Sequence, residues 1–172
     1  MKRFLFPLLL AALAATGCAT TSEPVKRAAV ADALYPAPGF VAAGRLQAAD
    51  VERLRGAGIR HVIDLTPDAE TPDFDEAAAV RAAGLDYSNL PLRDATDLTR
   101  DNVLAFDALV RGAKQPVLVH CASGNRVGAM AALRAAWIDG KPLEEAVAIG
   151  KQWGLKGLEG EVRQRIESVA PR

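Results

Sequence analysis

The stretch Val117-Leu118-Val119-His120-Cys121-Ala122-Ser123-Gly124-Asn125-Arg126-Val127-Gly128 constrains this chain more than any other. It opens with a β-branched apolar run and passes through a cysteine into a short polar loop. Met130, Leu133, Trp137 and Ile138 then fall at helical spacing, so the pattern reads strand, loop, helix. Such a loop aims unpaired N–H groups inward beside the positive end of a helix dipole, where an oxyanion or a thiolate is stabilised. Arg126 adds a planar fork that can grip two oxygens of a phosphate, and Gly124 lets the backbone turn without a Cβ collision. A nucleophile and an anion cradle thus share one loop. The bland alternative is a small buried cysteine followed by an ordinary surface arginine.

The rest of the chain supplies a sheet to carry that loop. Phe40-Val41-Ala42-Ala43 is the first predicted strand, followed by a helix from Asp50 to Arg55 that Gly56 or Gly58 closes. His61 to Leu65 reads as a buried strand. Asp73-Phe74-Asp75-Glu76 has capping-box spacing for a helix ending at Gly84, and Leu85 to Leu92 is the next strand. Thr99 reads as an N-cap with Leu98 and Val103 as a hydrophobic staple, and Phe106 and Val110 continue the stripe. Two more helices are expected, from Pro142 to about Trp153 and from Leu158 to about Ser168. Strands alternating with helices predict an α/β fold, a mainly parallel central sheet with helices on both faces. Loops at the carboxyl ends of such strands are where sites form, and Cys121 lies on one.

The cysteine loop resembles the signature of the cysteine-dependent protein phosphatases, His-Cys, five residues, then Arg. Here only Ala122, Ser123, Gly124 and Asn125 intervene. That shorter spacing is also found in rhodanese-type sulfurtransferases. It is found too in the phosphatase-like domain of the beta-lactamase-hydrolase-like proteins, an offshoot of the tyrosine and dual-specificity phosphatases. The last family fits best, because the resemblance runs from about Gly39 to Ser168. It takes in Phe40-Val41-Ala42-Ala43-Gly44-Arg45-Leu46, His61-Val62-Ile63-Asp64-Leu65-Thr66-Pro67 and Tyr87-Ser88-Asn89-Leu90-Pro91-Leu92. It implies a cysteine-phosphatase-like fold, with phosphate held by residues 122–126 and Cys121 forming a thiophosphate. His120, by the same resemblance, orients the loop.

A thiolate attacking a phosphate ester needs a proton donor for the leaving oxygen and then an activator for water. Leu90-Pro91-Leu92-Arg93-Asp94-Ala95-Thr96-Asp97 follows the third strand and offers two carboxyls. The dual-specificity phosphatases carry their acid just after a similar strand end. That points to Asp94, with Asp97 in reserve and Asp64 a weaker candidate; a turn or capping role is the plain alternative for each. Where the phosphatase pattern has Ser or Thr after the arginine, this chain has Val127, which predicts slow thiophosphate breakdown or none. A loop one residue shorter also suits a smaller group such as a sulfane sulfur. Three readings follow: a cysteine phosphatase acting on a phosphorylated small molecule or protein, a sulfurtransferase with a persulfide on Cys121, or an anion-binding module without turnover.

Met1-Lys2-Arg3 and the apolar run Phe4 to Ala15 read as an export signal too short to span a bilayer. Thr16-Gly17-Cys18 looks like a bacterial lipobox, although Ala15 stands where Leu is commoner. The resemblance implies cleavage before Cys18, acylation there, and, with Ala19 following, a periplasm-facing outer-membrane anchor. The expected layout is a signal peptide over 1–17, a polar, proline-punctuated spacer over 18–38 with at most a short helix near 28–34, and one domain over 39–172. With Cys18 acylated, Cys121 has no partner among the two cysteines, and an unpaired thiol in an oxidising compartment makes more sense as a reactive group than as a staple. A Cys18–Cys121 disulfide would remove both anchor and nucleophile. The 21 basic and 21 acidic side chains balance, and 5% aromatic content offers few stacking platforms, so nucleic acid is not an expected partner. His61 reads as structural, and two histidines 59 residues apart with one free thiol predict no metal cluster and no cofactor.

Overall fold

The computed structural model describes residues 30–168. In chain order it forms β1 (Leu34–Ala37), β2 (Phe40–Ala43), α1 (Ala48–Gly56), β3 (His61–Asp64), α2 (Glu76–Ala82) and β4 (Asp86–Asn89). There follow α3 (Arg100–Gly112), β5 (Val117–His120), α4 (Asn125–Trp137), α5 (Leu143–Gln152) and α6 (Glu159–Ser168). The strands make one sheet in the order β1-β2-β5-β3-β4. All neighbours run parallel except β1, which pairs antiparallel with β2. This is the α/β architecture expected from the alternating pattern.

Every residue of β5 is buried, because it lies between β2 and β3 and under helices on both faces. Side chains alternate along a strand, so its residues divide between two cores. Val117 and Val119 join Ile63, Phe106, Met130, Leu133, Val147 and Val162 beneath α3, α4, α5 and α6. Leu118 joins Val41, Val51, Leu54, Val62 and Val80 beneath α1 and α2. Each such aliphatic side chain contributes about 1.5–3 kcal/mol by leaving water. The parallel register aligns Ala43, His120, Asp64 and Asn89 in one row at the carboxyl ends of four strands. The functional loops spring from that row.

Local signals explain the element ends. Thr99 Oγ1 accepts the Asn102 N–H at 3.2 Å, and its flanking Leu98 and Val103 are both fully buried. For α2 the capping residue is Asp75, whose carboxylate accepts the Ala78 N–H at 2.9 Å, rather than Asp73. The strand expected over 85–92 is shorter, Asp86–Asn89, although Leu90 and Leu92 still donate to the Asp64 and Leu65 carbonyls.

The spacer expected over 18–38 gives way before its end. Leu34–Ala37 is a strand, with Leu34 opposite Ala42 and Ala37 opposite Phe40, and Val30 is already buried. Pro36 and Pro38 argue against a central strand but are tolerated at a sheet edge, where no ladder donor is missed on the outer side. Residues 30–33 form a turn rather than a short helix. The expected signal peptide, Cys18 and the first part of the spacer lie outside the described residues. Among the described residues no helix is long and apolar enough to cross a membrane.

Candidate active site

Cys121 follows β5 on the α4 side of the sheet and is wholly buried. The chain then turns through Ala122 and Ser123 to Gly124, which caps α4 with φ +79°. That left-handed conformation is open to glycine at little cost. The loop is clamped from two sides. The Arg45 N–H donates to the Ala122 carbonyl at 3.2 Å, and Asn125 Oδ1 accepts the Lys156 and Leu158 N–H groups at 2.8 and 3.3 Å. Asn125, expected among the phosphate-binding residues, therefore commits its side chain to the α5–α6 connection. Its backbone remains part of the first turn of α4, where free N–H groups gather.

Arg126 is 8% exposed and already engaged. Nη1 and Nη2 donate to the two Glu70 carboxylate oxygens at 2.8 and 2.7 Å, and Nη1 also donates to the Leu92 carbonyl. Burial works against the guanidinium's charge. The Glu70 hydrogen bonds and then the adjacent Cys121 sulfur more than offset it, holding the proton above the usual arginine range. Three of the five donors are thus used, leaving Nε–H and one Nη2–H. Glu70 lies on a short 3-10 turn, Asp68–Glu70, steadied by Arg45 Nη1 donating to its carbonyl at 2.6 Å. The Arg126 hydrogen bond holds the Glu70 carboxyl below the usual range. Nothing in the sequence marked Glu70 as Arg126's partner, 56 residues away.

The two carboxyls after β4 are differently placed. Asp97 is locked to Arg93, accepting Nε at 3.0 Å, Nη2 at 2.8 Å and the backbone N–H at 2.7 Å. Those Arg93 hydrogen bonds lower its carboxyl to about 2, which makes it a poor proton donor. Asp94 is exposed and accepts the Thr96 hydroxyl at 2.6 Å and the Thr96 N–H at 2.8 Å, and the hydroxyl, then the N–H, lower its carboxyl too. Its segment begins at Leu92, whose carbonyl Arg126 holds. Of the two, Asp94 makes no ion pair with Arg93.

His120 and Asp64 end neighbouring strands at the same level, but His120 faces the side opposite Cys121. Its Nε2 meets Glu76 Oε1 at 2.7 Å and Asp64 Oδ1 at 3.4 Å, while Nδ1 has no partner. The expected loop-orienting hydrogen bond from the imidazole thus goes to α2. The expectation of no ligand cluster is corrected as well, since Asp64, Glu76 and His120 converge in the interior. Register across a parallel sheet, not sequence spacing, brings them together. Tyr87 donates to Asp64 at 2.9 Å, and burial, then the Asp64 charge, hold its phenol proton well above the usual range. His61 Nε2 meets Ser88 Oγ at 2.9 Å, and burial lowers its proton affinity.

One cleft borders the loop and another opens across the sheet. The first, of about 680 Å³, is lined by Ala122, Ser123, Gly124, Arg45, Trp153 and Lys156, among others, so loop backbone and two cations meet in it. The second, of about 460 Å³, opens beside α2, lined by Asp64, Asp68, Asp75, Glu76 and Tyr87 among others.

A mainly parallel sheet presenting a Cys-loop-Arg segment at a helix N-terminus is the architecture of the cysteine-type phosphatases. The known proteins agree. The family described as "Beta-lactamase hydrolase-like protein, phosphatase-like domain" matches residues 32–138, and the chain belongs to it. A beta-lactamase hydrolase-like protein of Xylella fastidiosa (strain Temecula1) is 37% identical over 103 residues, 57% of this chain and 23% of that protein. The one from Agrobacterium fabrum is 34% identical over 88 residues, 49% of this chain and 20% of its own length. The chain thus spans about a fifth to a quarter of these relatives. Among solved structures, a candidate phosphatase of Neisseria meningitidis is similar with TM-score 0.66 and 26% identity, covering 78% of this chain and 96% of that one. TpbA of P. aeruginosa, solved in complex with pTyr, shares the fold at TM-score 0.55 and 19% identity over 78% of this chain and 82% of its own.

Proposed function

We propose that this chain hydrolyses phosphate monoesters through a thiophosphate on Cys121. The observation that carries the reading is the pairing of Cys121 with Arg126 across one helix-capping loop, where the sulfur helps hold the arginine's proton. The sulfur attacks phosphorus and the ester P–O bond breaks, with Asp94 giving its proton to the leaving oxygen. Water then displaces the sulfur while the Asp94 carboxylate takes the water's proton, releasing phosphate. The first-turn N–H groups of α4 and the two spare Arg126 donors hold the phosphoryl oxygens through both steps. Since Cys121 is wholly buried, substrate reaches the sulfur only when part of its cover withdraws. A phosphorylated small molecule or protein is the substrate class, as the pTyr-bound neighbour supports.

Val127 favours a second reading. It is fully buried in the core and offers no hydroxyl to help the thiolate leave, so the loop would bind an anion without turning over. Hydrolysis of an aryl phosphate by the reduced protein separates the two. Release abolished in Cys121→Ser and sharply reduced in Asp94→Asn is expected. No release from the native chain, with phosphate still binding, would leave the binding module.

Export and anchoring belong to the same proposal. The basic Met1-Lys2-Arg3, the apolar run after it and Cys18 support a lipid anchor in the cell envelope. Metabolic labelling with a radioactive fatty acid should mark the native chain and not Cys18→Ser.

A further inference from the structure

We infer that Asp64, Glu76 and His120 form a site for a divalent first-row transition-metal ion, on the sheet face opposite Cys121. The three ligand atoms lie within 4.8 Å of one another, and all three residues are buried. His120 Nε2 stands 2.7 Å from Glu76 Oε1 and 3.4 Å from Asp64 Oδ1. An ion held about 2.0–2.2 Å from nitrogen and oxygen ligands places neighbouring ligands roughly 3–3.5 Å apart, so small adjustments suffice. A single N–H on Nε2, by contrast, can satisfy only one of the two oxygens that converge on it. Asp64 Oδ1 then has the Thr66 N–H as its donor and keeps a further lone pair on the side of the ring, 3.4 Å from Nε2.

Three further features point to a ligand rather than to packing. The imidazole is 1% exposed, and its Nε2 is aimed into the cluster between the two carboxylates. Asp64 is held from behind by the Thr66 N–H at 2.7 Å, Tyr87 Oη at 2.9 Å and Asn89 Nδ2 at 3.2 Å. That is the outer layer of hydrogen bonds that fixes ligand orientation in metal sites. And the 460 Å³ cleft, with Asp68 and Asp75 added to its lining, gives a cation a route in and leaves room for water on the remaining positions. Two carboxylates match the charge of a divalent ion. The imidazole favours an ion such as zinc over magnesium and calcium. Because His120 directly precedes Cys121, an ion there would pin the strand end from which the cysteine loop springs.

The test uses the full reduced chain, stripped with a chelator and titrated with Co²⁺ under visible spectroscopy. Expected are one ion per chain and d–d bands of oxygen and nitrogen ligation with no thiolate charge-transfer band. The signal should be unchanged when Cys18 and Cys121 are both replaced by serine. Glu76→Gln and Asp64→Asn should each weaken binding by roughly tenfold or more. Removing a buried carboxyl can itself unfold the chain, so a second measurement uses the native protein, whose melting temperature should rise with ion concentration. Absence of saturable uptake, affinity unmoved in both variants, a charge-transfer band lost with the cysteines, or a melting temperature indifferent to the ion would each overturn the site. The His120–Glu76 hydrogen bond would then be what holds the cluster.

Discussion

Under the proposed mechanism, Thr96 sets the pH range over which Asp94 acts. A general acid works only while protonated, and the Thr96 hydroxyl and N–H hold the Asp94 carboxyl below its ordinary range. As pH rises through that lowered value the protonated form is lost, so kcat/KM should fall with pH from an acidic optimum. Thr96→Val deletes the hydroxyl, lets the carboxyl rise toward the ordinary range, and should move the descending limb to higher pH. A limb that stays put would remove Asp94 as the acid. Asp97→Asn removes a neighbouring negative charge that raises the Asp94 carboxyl, so it should move the limb, if at all, to lower pH. The sequence put Asp94 ahead of Asp97 by resemblance alone, since the Arg93–Asp97 pairing that distinguishes them exists only once the chain turns at residues 95–97. Glu70 was beyond it altogether. Glu70→Gln keeps the shape and removes the charge that anchors the Arg126 fork, so aryl phosphate hydrolysis should drop on the order of tenfold through misplaced donors. The pair's contribution has a definite sign with pH. Glu70 is lowered in the folded state, so its share of stability is present above the ordinary carboxyl range and is lost as pH falls through the lowered value.

Helix α4 shows what element-level reading captures and what it leaves out. Its apolar spacing and glycine-fed start were visible in the sequence, and the structure begins it at Asn125 after Gly124. How closely it meets α5 was not. A Cβ added at Gly128 would stand 2.0 Å from the Leu155 nitrogen and 2.7 Å from the Gly150 carbonyl, and one at Gly150 would stand 2.8 Å from the Gly128 carbonyl. Two backbones cross there with no room for a methyl, and a glycine within a helix gives no cue in the sequence to its partner. Gly128→Ala should therefore destabilise the protein by about 1–3 kcal/mol through overpacking, read as a lower urea midpoint with an unchanged slope. Because Gly128 lies in the first turn of α4, the same change should disturb the cysteine loop, and a loss of activity alongside the lost stability is expected.

At the scale of the molecule, the order of elements followed from alternation and glycine punctuation, because buried parallel strands and amphipathic helices leave strong periodic marks. The edge left none. Leu34–Ala37 has two of its four residues exposed, with Pro36 inside and Pro38 just after, so neither periodicity nor propensity announces a strand. Its role is to cover β2, which would otherwise present an open edge beside β5 and the cysteine loop. That makes the start of the domain testable. A fragment beginning at Val30 retains β1 and the buried Val30 side chain; one beginning at Gly39, the boundary expected from sequence, loses both. Cross-strand pairs contribute about 0.2–1 kcal/mol each, and a buried valine about 1.5 kcal/mol or more. The shorter fragment should thus be less stable on the order of 2 kcal/mol by chemical denaturation. It should also associate with rising concentration in sedimentation, because the uncovered β2 edge can recruit a strand from a second copy. Equal stability and a monomeric state for both fragments would show that β1 is an attachment to the sheet rather than part of the folding unit.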